Sequence, residues 1–175
     1  MSEVLNKMKE RRSIHKFKPD MIPQEIIDQI IEAGLYAASG KGKQAVIIIQ
    51  VTNKELRDEI TRMNCKIGGW QDGFDPFYDA PVILIVLGRK DWPTHMYDGS
   101  LVMGSLMLAA HDLGIGSYWI HWAKEEFESQ WGVDLLKSLG IEGEYEGIRH
   151  CALGYADGET PKAPARKENR VFYIK

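Results

Sequence analysis

The stretch DGSLVMGSLMLAAHDL, residues 98–113, decides the fold of this 175-residue chain. Apolar residues occur on nearly every side of the helix that it predicts, which is typical of a helix buried at the centre of a domain. Its glycines, serines and alanines leave room for neighbouring backbones to come close. Gly114 follows directly, and glycine commonly ends a helix. We therefore expect a central buried helix.

Apolar runs on both sides of this helix predict a small sheet. Strands are expected over residues 45–52, 82–87, 115–120, 147–154 and 170–175. Helices are expected over residues 3–10, 23–38, 53–63 and 124–139, with a weak point at Gly132 and an irregular segment over residues 64–78. Helices and strands thus alternate around the sheet, which favours an α+β or α/β domain with helices packed on it.

The composition is that of one globular domain over residues 1–175. Hydrophobic residues make up 44% and charged residues 27%, which excludes a disordered tail, a collagen-like rod and a coiled coil. The net charge of -3 argues against nucleic acid as a partner. The longest apolar run, residues 80–88, is too short to cross a membrane, and residues 1–10 lack a signal-peptide core. We expect a cytoplasmic protein with free thiols at Cys65 and Cys151.

Two segments carry the residue types that bind an anion. The N-terminal candidates are Arg11, Arg12, Ser13 and His15. Guanidinium groups and a hydroxyl donate well to phosphate oxygens, although a solvated basic helix end is the alternative. The C-terminal candidates are Arg166 and Lys167. They follow two prolines in an extended tail, for which the alternative is a polar chain end.

Two other segments could contact a flat ring. The first is a glycine-rich loop with the candidates Ser39, Gly40, Lys41 and Gln44. It does not fit the spacing of a phosphate-binding P-loop, and a surface turn is its alternative. The second is an aromatic strand with the candidates Trp119, Ile120 and His121. It lacks a dinucleotide-binding glycine pattern, and ordinary core aromatics are its alternative.

The sequence contains no evident metal site, nucleophile pair or carboxylate pair. Cys151 follows His150 in a predicted strand, where neighbouring side chains face opposite sides, so a buried structural cysteine is favoured. A chain with anion-binding segments but no acid, base or metal of its own is typical of proteins that take their chemistry from a cofactor.

In this order, the segments resemble the nitroreductase family of flavin-dependent oxidoreductases. The resemblance is carried by RRSIHKF (11–17), ASGKGKQ (38–44), APVILIV (80–86), LAAHDLGIGS (108–117), Gly154-Tyr155, Asp157-Gly158, Pro161 and Arg166-Lys167. It covers nearly the whole chain. It implies an α+β homodimer with a small mixed sheet flanked by helices, a central buried helix and a C-terminal extension swapped between subunits. Two FMN molecules would lie at the interface.

The resemblance also implies a role for each candidate residue. The phosphate clamp would be Arg11, Ser13, Arg166 and Lys167, with a contribution from Arg12. The contacts from the partner subunit would be Ser39, Gly40, Lys41 and Gln44. The wall beside the flavin N5 edge would be Trp119, Ile120 and His121. His15 would lie near the flavin N1–O2 edge, where the family commonly has arginine or lysine. Because an imidazole changes its charge near neutral pH, we expect a pH-sensitive flavin potential.

The implied activity is hydride transfer from NADH or NADPH, through flavin N5, to a nitroaromatic, quinone or similar electron-poor acceptor by a ping-pong route. Enones and halogenated aromatics are alternative acceptors. The alternatives from other classes are a flavin-binding sensor or storage module without turnover and a ligand-free dimeric scaffold. The chain lacks the long insertions that shape substrate pockets in larger family members, so the acceptor stays open. The sequence also does not decide between NADH and NADPH.

Overall fold

The computed structural model describes residues 2–175 and has an antiparallel sheet at its centre. The strands are β1 (Val46–Val51), β2 (Val82–Arg89), β3 (Gly116–Ile120) and β4 (Tyr145–Gly154). They lie in the order β1-β2-β4-β3, and each neighbouring pair is antiparallel. Within residues 2–175 the one parallel pairing is an isolated bridge between Ser13 and Ser117. The sheet is thus antiparallel rather than mixed, although β2 is buried on both faces like a parallel strand.

Helices cover both faces of the sheet. They are α1 (Glu3–Glu10), α2 (Gln24–Leu35), α3 (Lys54–Gly68), α4 (His95–Asp112), α5 (Ala123–Glu128) and α6 (Gln130–Ser138). One face carries α2 and α4, with Leu84 and Leu106 in its apolar core. The other face carries α3, α5 and α6, with Ile60 and Phe127 in a second core. This layering confirms the α+β class expected from the sequence.

Helix α4 is the central helix that the sequence predicts. It contacts all four strands, and it buries Val102, Met103 and Leu106. Gly99 permits the close approach of the sheet, because a Cβ atom there would lie 2.6 Å from Cγ1 of Ile148. The helix begins at His95, somewhat earlier than expected.

Three boundaries differ from the sequence-based expectations. Helix α3 continues to Gly68, so Asn64 and Cys65 are buried helical residues rather than part of an irregular segment. Helix α2 ends at Leu35. The chain between α5 and α6 breaks at Ser129, while Gly132 lies inside α6. A Cβ atom at Gly132 would lie 2.5 Å from Cα of Phe127, so this glycine permits close packing and does not end a helix.

The C-terminal tail lies on the surface of the single chain. Residues 158–175 are exposed, and the strand expected over residues 170–175 pairs with no strand of the described chain. The tail nevertheless carries apolar side chains, and Phe172 is 85% exposed. Its alternating pattern indicates a strand, but a strand forms only where a partner edge is available.

No helix in residues 2–175 combines the length and apolar composition needed to cross a bilayer.

Candidate functional site

A groove of about 770 Å³ lies between the N-terminal segment and the C-terminal tail. The residues that line it are Met8, Lys9, Arg11, Arg12, Ser13, His15, Pro161, Lys162, Ala163, Pro164 and Arg166. Basic residues come from both ends of the chain, and no described residue lining the groove is acidic. The structure therefore brings Arg11, Arg12, Ser13, His15 and Arg166 to one place. Lys167 does not line the groove.

The guanidinium groups in this groove are not fully hydrogen-bonded within the described chain. Nη1 of Arg11 and Nε of Arg12 are buried and have no hydrogen-bond partner within the described chain. Arg12 Nη1 donates to the carbonyl oxygen of Lys9 at 2.7 Å, and Arg166 Nη2 donates to that of Pro164 at 2.7 Å. Because these bonds go to carbonyls rather than carboxylates, the positive charge is not neutralised. The groove suits a phosphate dianion.

The edge of the sheet fixes the N-terminal side of the groove. The backbone N–H of Ile14 donates to the carbonyl oxygen of Ser117 at 3.1 Å, beside the Ser13–Ser117 bridge. The side chains of Ile14 and Phe17 are buried, whereas His15 between them is exposed. This extended segment therefore runs along edge strand β3, and it directs His15 outward.

A second cavity, of about 220 Å³, lies along β3 and is mostly aromatic. The residues that line it are Trp70, Phe74, Pro76, Tyr78, Tyr118, Trp119, Ile120, His121 and Trp122. The His15 ring lies edge-on to Tyr118 and Tyr78, with centroid distances of 4.4 and 5.1 Å. His15 lines the basic groove and contacts two residues of the aromatic cavity, so it lies between the two.

Two titratable groups of the aromatic cavity, Tyr78 and His121, favour their neutral forms. Burial raises the pKa of the Tyr78 hydroxyl, and the neighbouring Tyr118 and Asp75 raise it further. Burial also lowers the pKa of His121, an effect that the nearby Arg149 guanidinium strengthens. At neutral pH the cavity therefore presents uncharged rings, which suits a flat aromatic ligand.

An ion pair holds the segment that carries Tyr78. The Asp75 carboxylate pairs with Arg57 and accepts the backbone N–H groups of Phe77 and Asp79, each at 2.8 Å. Nε of Arg57 donates to the carbonyl oxygen of Ala80 at 3.0 Å. Tyr78 and Asp79 both have positive φ angles, 54° and 60°, which are strained for residues other than glycine. The Arg57–Asp75 ion pair, called the Arg57–Asp75 clamp below, offsets this strain.

The glycine-rich loop lies elsewhere in the single chain. The N–H of Gly40 donates to Oδ1 of Asp98 at 3.0 Å, in the first turn of α4. Lys7 of α1 contacts Asp112, at the other end of α4, at 3.3 Å. An 18-residue helix is about 27 Å long. The loop candidates therefore lie far from the basic groove, and none of them lines either cavity; they are Ser39, Gly40, Lys41 and Gln44.

Two groups of residues that lie near the aromatic cavity were not identified from the sequence. One is the segment with Trp70, Phe74 and Tyr78, whose position depends on long-range contacts. The other is a fully buried cluster with Asn64, Glu126 and His150. Cys151, by contrast, is buried as expected, and burial raises the pKa of its thiol to about 12, so it is no nucleophile near neutral pH.

A family model for nitroreductases, described as "Nitroreductase family", matches residues 8–66 and 70–155. The chain belongs to the nitroreductase family. Among relatives, a Methanothermobacter thermautotrophicus protein, provisionally named an NADH dehydrogenase/NAD(P)H nitroreductase, is 31% identical over 67% of this chain. The present chain spans 60% of that relative's length. An iodotyrosine deiodinase of Thermotoga neapolitana is 26% identical, with 94% of each chain covered.

The fold of this nitroreductase-family chain is similar to that of a solved nitroreductase with a bound cofactor. The nitroreductase of Bacteroides fragilis, solved with bound FMN, superimposes with a TM-score of 0.90. It is 25% identical in sequence, and 100% of each chain is covered. The match includes the C-terminal tail, which lies beyond the residues that the family model covers.

Proposed function

We propose that this nitroreductase-family chain is an FMN-dependent oxidoreductase that uses NADH or NADPH to reduce nitroaromatic, quinone or similar electron-poor acceptors by a ping-pong route. When bound, FMN supplies a ring that accepts and then donates a hydride. The observation that carries the proposal is the groove in which Arg11 and Arg166 meet. The bound FMN of the Bacteroides fragilis structure supports the choice of ligand.

The chain's own residues would bind and orient the cofactor. Arg11, Arg12 and Arg166 would hold its phosphate, and the hydroxyl of Ser13 would add a further donor. His15 would lie at the edge of the ring, where its positive form favours the ring that has gained negative charge. No acid or base of the chain is required, because the reaction depends mainly on placing donor and acceptor against one ring face.

The wall of the aromatic cavity would orient the ring and exclude water. In this proposal Trp119, Ile120 and His121 form the surface beside the reactive edge. The uncharged state of Tyr78 and His121 keeps this surface of low polarity. A low-polarity wall strengthens the hydrogen bonds and charge interactions made by the bound ring.

A homodimer completes the site in this proposal. In one copy, the loop from Ser39 to Gln44 is remote from the groove, and Phe172 and Ile174 of the tail are 85% and 103% exposed. On helix α1, Val4 and Met8 also expose large apolar side chains. A second copy would cover these surfaces, exchange the tails and bring the loop and Lys167 to the partner's cofactor. Residues 1–175 would act as one cytoplasmic domain.

The test combines a spectrum with steady-state kinetics. The purified chain, incubated with FMN and desalted, is expected to show flavin absorbance and to oxidise NADH or NADPH faster when a nitroaromatic or quinone is added. Bound FMN without acceptor-dependent turnover would instead indicate a sensor or storage module. A colourless protein after incubation would contradict the flavin site and favour a ligand-free scaffold.

Reductive removal of iodide from an iodinated phenol is a second candidate activity. It is favoured by the match to the Thermotoga neapolitana iodotyrosine deiodinase, which runs over 94% of both chains. Incubation of the reduced holoprotein with iodotyrosine, followed by measurement of released iodide, separates it from nitroaromatic or quinone reduction. No iodide release above the rate of free reduced FMN would exclude it.

A further inference from the structure

A buried polar cluster lies beneath the turn between β3 and α5. Its members are Asn64 on α3, Glu126 on α5 and His150 on β4, and each is 0% exposed. Nε2 of His150 lies 2.8 Å from Oε2 of Glu126, and Asn64 Nδ2 donates to Oε1 of Glu126 at 3.0 Å. Polar groups buried in an apolar core are costly unless they satisfy one another or another buried group.

The cluster binds one backbone group, the carbonyl oxygen of His121. Nδ2 of Asn64 donates to this oxygen at 2.8 Å, and Nδ1 of His150 lies 3.3 Å from it. Because a carbonyl oxygen only accepts, Nδ1 of His150 must carry a hydrogen. The other ring nitrogen, Nε2, faces Oε2 of Glu126 at ion-pair distance but without hydrogen-bond geometry. Two side chains from separate elements thus hold one peptide group.

The orientation of the next peptide N–H follows from this contact. The described chain has no cis peptide bond, so the N–H of Trp122 points opposite to the His121 carbonyl and away from the cluster. No acceptor in residues 2–175 binds that N–H. Trp122 also has a φ angle of 75°, which an aromatic residue rarely adopts. Both His121 and Trp122 line the aromatic cavity.

We propose that Asn64, Glu126 and His150 are positioning residues that hold the His121–Trp122 peptide so that its N–H binds an acceptor atom of the ring at the cavity wall. The inference rests on the proposed function, since that ring is the isoalloxazine of FMN. A fixed donor favours the ring form that carries more negative charge. Loosening the peptide therefore shifts the flavin midpoint potential without removing any phosphate contact.

Amide NMR of the wild-type chain tests the contact directly. The Trp122 backbone resonance is expected to move when FMN is added to the apoprotein, and its exchange with solvent is expected to slow. If FMN binds and this resonance keeps its position and its exchange rate, the inference is overturned while the proposed function stands. If FMN does not bind, both fail.

A matched pair of variants tests the cluster. Asn64→Leu keeps the size of the side chain but removes the donor, and Cys65→Ala alters the neighbouring buried residue of the same helix. Asn64→Leu is expected to retain FMN, to shift the midpoint potential and to reduce the effect of FMN on the Trp122 amide, whereas Cys65→Ala changes none of these. Equal behaviour of the two variants would overturn the positioning role. If Asn64→Leu fails to fold, the wild-type NMR measurement decides alone.

Discussion

Arg11 and Arg166 come from opposite ends of the chain and line the same groove. No described residue lining that groove is acidic, although the chain as a whole has a net charge of -3. Guanidinium groups that lie close together repel one another, and an arrangement of this kind is stabilised when an anion binds. The groove is therefore the physical basis of the proposed flavin site.

Because the C-terminal tail is exposed in the single chain, we expect dimer formation and FMN binding to depend on each other. We expect Phe172→Ser combined with Ile174→Ser to weaken the proposed dimer and to lower FMN retention, because both changes remove apolar surface while Arg166 stays in place. Sedimentation velocity and the flavin absorbance of the desalted protein measure the two effects. An unchanged dimer that still holds FMN would show that the tail is not part of the interface.

His15 is expected to influence the flavin midpoint potential. The imidazole lines the basic groove and contacts Tyr118 of the aromatic cavity, so its removal changes the polar surroundings of the bound ring. We expect His15→Ala to change the midpoint potential while FMN stays bound. Potentiometric titration of the holoprotein checks this, and an unchanged potential would reject the role of His15.

The Arg57–Asp75 clamp predicts a selective loss of stability. Asp75→Asn is expected to cost about 2 kcal/mol, because a charge-assisted hydrogen bond is replaced by a weaker one and the strained backbone at Tyr78 loses support. Thermal unfolding of the apoprotein measures the cost. Asp58→Asn is the matched control, since Asp58 also contacts Arg57 but lies outside the strained segment. Equal losses in the two variants would contradict the role of the clamp.

Because the Cys151 thiol is buried, we expect the free energy of unfolding to fall at alkaline pH. In the unfolded chain its thiol ionises near the ordinary pKa of 9.0, whereas burial raises the pKa to about 12 in the folded chain. Between these values the unfolded state binds fewer protons, so the free energy of unfolding falls as the pH rises, by about 1.4 kcal/mol per unit for one proton. Denaturant unfolding of Cys151→Ala is expected to show a shallower fall above pH 9.0. The same slope in both proteins would contradict this.

The sequence was most informative where local pattern decides structure. The apolar run over residues 98–113 predicted the central helix, and the order of Arg11, Ser13 and Arg166 indicated a site that the structure gathers in one groove. Both inferences depend on residue types that are informative without knowledge of their tertiary contacts. The position of Lys167 relative to a cofactor stays a prediction.

Other parts of the site depend on contacts that a single sequence does not display. Tyr78 reaches the cavity through a positive φ angle, which is supported by Arg57 from another helix. Asn64 seemed to belong to an irregular segment, although it is a buried helical residue that binds the His121 carbonyl. The paired strand expected over residues 170–175 requires a partner edge that one chain lacks.

The most direct measurement is a titration of the apoprotein with FMN and with riboflavin, which lacks the phosphate, for wild type and for Arg11→Ala combined with Arg166→Ala. Wild type is expected to prefer FMN strongly, and the double variant is expected to lose at least about 100-fold in FMN affinity, with little change for riboflavin. Arg62→Ala, an exposed change on α3, is the control and should match wild type. A double variant that binds FMN as tightly as wild type would contradict the account.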